Sequence, residues 1–162
     1  MLNSNFANAV LKAMFGQGEL YSRSTISSQS YSTVTGGLGT TCYIGLLNGS
    51  TEYTDDNYER QLLGDWAKSA KNMSEPAANE IHNTEFIKFN PIADGKSGVG
   101  FDGFGLYAAK TGGTAVYTAK LKDALTGLAA GDMPVFHRNA LSVTFGKDDT
   151  ANAAAMASLS AE

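Results

Sequence analysis

Between residues 40 and 146 the apolar side chains come in short alternating runs, each closed by a turn built on glycine or asparagine, and no helical period interrupts them. Alternation sends every second side chain to the same face of an extended chain, and turns at this spacing lay consecutive strands side by side. Thr40 to Leu47 is the first run, ended by Asn48-Gly49, a pair that accepts positive φ. Asp55-Asp56-Asn57 reads as a turn, Tyr58 to Trp66 as an extended piece, and Ala67 to Glu80 as polar and irregular. Thr84 to Phe89 alternates again and stops at Asn90-Pro91. After a turn over Asp94 to Gly98, Val99 to Ala109 alternates phenylalanine with glycine. Gly112-Gly113 leads into Ala115 to Leu121, and beyond a loop at Gly127 to Gly131, Met133 to Phe136 and Ala140 to Phe145 are the closing strands. The pattern predicts a mainly β fold, an antiparallel β-sandwich of jelly-roll-like kind over residues 42–146.

Outside that stretch the signals change. Asn3 to Phe15 predicts a short N-terminal α-helix within residues 1–19. Asn3 or Ser4 can cap it, Phe6, Val10 and Met14 recur at four-residue spacing with Leu11 and Phe15 beside them, and Gly16 and Gly18 end it. Its stripe either packs on the chain's own sheet or docks on a partner. Residues 20–41 are rich in Ser, Thr and Gly, bury little, and read as a loop or arm that orders against a neighbour. The Ala-rich residues 147–162 read as a weak helix or a tail, and the whole as a single domain.

Charge narrows the partners. The net charge is −4 and no stretch gathers Lys and Arg, so the phosphate-neutralising attraction behind nucleic-acid binding is missing. No apolar run approaches the roughly 20 residues of a spanning helix, and no basic segment precedes an apolar one as in a signal peptide. No membrane or nucleic acid is expected as partner. Cys42 is the only cysteine, which excludes an internal disulfide and suits a buried thiol in a reducing setting.

Motifs with catalytic potential are thin. Gly98-Val99-Gly100-Phe101-Asp102-Gly103 fits G-x-G-x-x-G, but a polar turn precedes it and a strand pattern follows, where dinucleotide binding needs a strand and then a helix. His82 and His137, the only histidines, have no ligand partners at metal-site spacing. Asp55-Asp56 and Asp148-Asp149 lie in polar stretches, as solvated loop charges do, although Asp55-Asp56 is compatible with a weak Ca²⁺ site. The expectation is a non-enzymatic protein with no cofactor.

Several ordered segments carry a resemblance. They are Tyr43-Ile44-Gly45-Leu46, Tyr58-Glu59-Arg60, and Asn83 followed by Phe86 and Phe89. Phe104-Gly105-Leu106-Tyr107-Ala108-Ala109 with Gly112-Gly113, Ala130-Gly131-Asp132, and Ala140 to Phe145 complete the set. In this order, across most of residues 1–146, the chain resembles a family of small phage virion proteins of the tail fibre and head decoration kind. The serine-rich segment and the alanine-rich end depart from the shorter family pattern.

The resemblance implies a structural protein at the surface of the phage particle, made in the host cytoplasm. Its partners would be the major capsid protein or tail proteins and further copies of itself, a trimer for example. A head-surface decoration role is the leading expectation, since a helix and an arm suit lying across neighbouring subunits. A tail fibre or tail-tip role in host adsorption is the alternative, with Tyr21, Tyr31 and Tyr53 exposed to stack on glycans. Phe6, Val10, Met14, Tyr21, Tyr31, Tyr58 and Arg60 are the candidate interface residues. For Tyr58 and Arg60, an interface role and a role inside the fold are equally open, because Tyr and Arg are common in both.

Overall fold

A computed structural model describes residues 4–15, 41–65, 70–144 and 157–159. Among the described residues, one helix, α1 (Ser4–Met14), precedes eleven strands. They are β1 (Thr41–Asn48), β2 (Thr51–Glu52), β3 (Gln61–Asp65), β4 (Ala70–Lys71), β5 (Glu80–His82), β6 (Ile87–Lys88), β7 (Val99–Tyr107), β8 (Tyr117–Leu128), β9 (Met133–Phe136), β10 (Ser142–Thr144) and β11 (Ala157–Leu159). Every pairing is antiparallel.

The main sheet runs β4-β3-β1-β7-β8, with β2 folded back on β1. Its centre is set by apolar pairs in register: Ile44 opposite Leu106 and Leu46 opposite Phe104. These side chains are buried and face one hydrophobic core. The other wall of that core comes from two smaller ladders, β5 with β10 and β6-β9-β11, which contribute Ile81, Val143, Ile87 and Phe136. The predicted antiparallel sandwich is therefore the fold found.

The helix closes one side. Ala7, Leu11 and Phe15 are fully buried, while Val10 is half-buried and Met14 packs at the core's margin. The core-facing stripe thus runs through Ala7, Leu11 and Phe15, one residue on from the row of Val10 and Met14. Asn8 Oδ1 accepts the backbone N–H of Asn79 at 3.1 Å, and Lys12 pairs with Glu75 at 2.9 Å. The described part of this helix packs on its own chain.

Three differences from the sequence reading have local causes. In the run Thr84 to Phe89, β6 takes only Ile87–Lys88, because the buried Asn83 side chain draws the Glu85 carbonyl into a bend at 2.8 Å. Strand β8 continues to Leu128, well past Leu121. It reaches that length through a bulge: β8 uses residues 120 to 125 where β7 uses only 101 to 103. As an edge strand it carries exposed Lys120, Lys122 and Asp123 on this irregular stretch, which discourages a further strand from pairing there. Finally, Ala157–Leu159 of the Ala-rich end pair with β9 as a strand.

Candidate functional site

Most of the motif segments meet on the outward face of the main sheet. Gly45 of β1 lies directly opposite Gly105 of β7, which leaves a patch of bare backbone. The Tyr107 ring lies across both: a Cβ at either glycine would come within 2.9 Å of Tyr107 Cε2. Over that ring sits the Arg60 guanidinium, its Cζ 3.5 Å from the ring centroid. Backbone, ring and cation form three stacked layers, which only glycine at the bottom permits.

The fourth component is Glu52. Arg60 donates through Nε to Oε1 at 2.7 Å and through Nη2 to Oε2 at 2.6 Å, a bidentate fork. Its Nη1 donates to the carbonyls of Ala109 and Gly112 at 2.8 and 2.7 Å, holding the turn that carries Gly112-Gly113 over the sheet. Tyr58 Oη donates to Glu52 Oε1 at 3.1 Å and accepts the Leu46 N–H at 2.9 Å. Arg60 is 6% exposed, so the pair works in a low dielectric where a missing partner is costly.

Electrostatics follow from that geometry. Burial acts to raise the Glu52 carboxyl, but the hydrogen bonds and charge of Arg60 outweigh it and hold the group below its ordinary range. The same bonds to Glu52 push Arg60 further up. Burial pushes Tyr58 and Tyr107 up as well. Glu52 stays ionised and the tyrosines neutral, so the cluster is a clamp joining β1, β2, β3, β7 and the 108–113 turn. Tyr58 and Arg60, two of the candidate interface residues, thus have their polar groups engaged within the chain.

Two further pins hold the opposite wall. Asn83 is fully buried. Its Nδ2 donates to the carbonyls of Glu85 and His137 at 2.8 and 2.7 Å, and its Oδ1 accepts the Leu141 N–H at 2.9 Å. Asp55 accepts four hydrogen bonds, from the N–H groups of Asn57, Tyr58 and Ala93 and from Tyr53 Oη. Burial acts to raise the Asp55 carboxyl, and these bonds hold it below its ordinary range. Its oxygens staple the 53–58 turn to the segment around Ala93.

Residues with reactive chemistry are placed as follows. Ser74 Oγ lies 3.4 Å from His82 Nδ1, and the same oxygen accepts the His82 backbone N–H at 3.2 Å. That contact accompanies the bond from Ser74 N–H to the His82 carbonyl. Cys42 is buried and burial pushes its thiol up. Val99 to Gly103 of the glycine-rich match belong to the continuous strand β7, which runs on to Tyr107. Among the described residues, no three His, Cys, Asp or Glu side chains gather in a metal-binding arrangement. Asp148-Asp149 lie outside the described residues.

Of the remaining interface candidates, Val10 and Met14 flank the buried helix stripe, and Phe6 is helical with its side chain outside the described set. Tyr21, Tyr31 and the 20–40 stretch also lie outside it. Tyr53, expected to be exposed, is half-buried: its ring meets Tyr58 and Phe101 edge-on and its hydroxyl is bound to Asp55. The sequence reading missed Glu52, whose partner sits eight residues on and whose role no local pattern announces. It also missed the cluster around Phe86. That ring is 44% exposed, with His137 edge-on at 5.2 Å and the cationic ends of Arg138 and Lys88 at 5.6 and 5.8 Å from its centroid.

Fold and site together define a β-sandwich whose motif residues serve the architecture of its own sheets. Residues 4–144 match the family model described as Podophage GP4 fiber I protein gp80. The chain belongs to that family of fibre-type phage virion proteins, and it is a structural part of the virion. No curated protein is similar enough to count as a relative.

Proposed function

We propose that this chain is a subunit of the phage tail fibre apparatus that works by binding other virion subunits and catalyses no reaction. The observation that carries the reading is the match of residues 4–144 to a fibre protein family. The site chemistry supports it: Tyr58, Arg60, Asn83 and Asp55 are engaged in intrachain bonds, which makes the sandwich a rigid scaffold and leaves recognition to its surface. A head-surface decoration role is the second reading, favoured by the small-residue composition of residues 20–41, suited to lying across neighbouring subunits.

Immunogold electron microscopy of intact phage, with antibody against this chain, separates the two. Gold at the tail supports the fibre reading. Gold over the head surface refutes it and puts decoration in its place.

A further inference from the structure

The segments 85–94 and 130–138 run antiparallel as a ribbon through β6 and β9, with Ile87 opposite Phe136 and Ile92 N–H donating to the Asp132 carbonyl at 2.9 Å. Its two ends differ in charge. At one end stands Phe86, ringed by Lys88, His137 and Arg138, with Glu85 paired to Arg138 at 2.7 Å. Eight residues on from Phe86, the other end carries exposed Asp56 and Asp94 beside Asp55 and Asp132, with Lys96 two residues beyond Asp94. Asp56 belongs there because Asn57 Nδ2 donates to the Pro91 carbonyl at 3.4 Å and Asp55 accepts the Ala93 N–H at 3.0 Å.

The cationic end is held in shape. Asn83 ties the two carbonyls on either side of the patch, those of Glu85 and His137. Asn139, next to Arg138, sits at φ 61 and donates its N–H to the Asn83 carbonyl at 2.9 Å. Asparagine enters this left-handed region more readily than most side chains, and the bond to Asn83 fixes it there. An exposed aromatic ring beside arginine, on a fixed backbone, has the make-up of a protein–protein anchor.

We propose that copies of this chain associate head to tail, the Phe86–Arg138 end of one copy seated on the Asp56–Asp94 end of the next. A twofold contact centred on Phe86 would set Arg138 and Lys88 against their own counterparts, so like charge disfavours it. A heterologous contact between unlike ends closes into a ring or continues as a filament. The inference does not rest on the fibre reading, since it holds for either position on the particle.

The test is sedimentation velocity of the full chain, with near-ultraviolet circular dichroism to confirm folding; the substituted side chains are exposed, so folding survives. At low salt the wild type is expected to sediment above the monomer and to fall toward it as salt rises. Phe86→Ala, Arg138→Glu and Asp94→Lys should each weaken association at least about tenfold. The double variant Arg138→Glu/Asp94→Lys should recover it. A wild type that is monomeric throughout, an oligomer indifferent to Arg138→Glu, or a double variant no better than the singles overturns the proposal. If the chain is monomeric and Phe86→Ala instead abolishes binding to an acidic polysaccharide, the patch is a saccharide site and the proposal also fails.

Discussion

Replacing Gly45 with alanine tests whether the stacked clamp holds the main sheet. The added Cβ would lie 2.7 Å from Glu52 Oε1, 2.8 Å from Tyr58 Oη and 2.9 Å from Tyr107 Cε2. Side-chain tips usually yield at little cost, but these are pinned: Glu52 by the Arg60 fork, Tyr58 by the Leu46 N–H, and Tyr107 beneath the guanidinium. Overpacking costs about 1–3 kcal/mol, and loosening a hydrogen bond to a charged group adds about 1.5–3 kcal/mol. Alanine returns about 0.5–1 kcal/mol by restricting the unfolded chain. The net expectation is a loss of about 2–4 kcal/mol, read by denaturant unfolding, or a fall of roughly 4–16 °C in Tm for a chain this long.

Two comparisons sharpen the test. Tyr58→Phe removes the atom at 2.8 Å, so Gly45→Ala should cost less in that background, with a coupling above about 0.5 kcal/mol. Gly95→Ala has open space around it and φ +78; it should cost only the backbone's about 1–2 kcal/mol and ignore Tyr58→Phe. A Gly45→Ala protein within about 0.5 kcal/mol of wild type, or one strictly additive with Tyr58→Phe, refutes the clamp.

Other outcomes follow from the same contacts. Asn83→Ala strands the buried Leu141 N–H and takes one donor from the Glu85 and His137 carbonyls, of which that of His137 still accepts the Ala140 N–H; a loss of about 1–3 kcal/mol, read by urea unfolding, is expected. Ala78→Gly relieves a residue at φ 50 in the tight turn joining Ala77 to Glu80; a gain of about 1 kcal/mol in a melting experiment is expected, and any loss contradicts it. Stability should form a plateau between about pH 5 and pH 9. Glu52 and Asp55 are lowered in the fold, so their contribution is present above about pH 4 and is lost as pH falls through their folded values. Tyr53, Tyr58 and Tyr107 are raised, so theirs is complete below about pH 10 and is lost as pH climbs beyond it. A melting temperature that rises as pH falls below about 4 contradicts the carboxyl sign, and one that rises as pH climbs above about 10 contradicts the tyrosine sign.

The alternating runs were readable wherever the alternation serves a buried face. Met133 to Phe136 is found as β9 with the same bounds, and Val99 to Ala109 contains β7. Reading failed where a side chain far away in sequence bends the backbone, as Asn83 does at Glu85, or where a bulge changes the count, as in β8. The glycines, Tyr58 and Arg60 were legible as a motif; that they form one clamp was not. Gly45, Arg60, Tyr107 and Gly112 come together only because β1 lies between β3 and β7.

By itself, the sequence determined the class of fold, the helix at the start, the main turns and the phage family the motifs resemble. Those follow from local period and local turn chemistry, which each short segment carries on its own. The tertiary structure alone decided which strands are neighbours, that Glu52 and Arg60 meet, and that opposite charges stand at the two ends of one ribbon. Such contacts depend on register and packing between distant segments, and the free energy that fixes them belongs to the closed core rather than to any one segment.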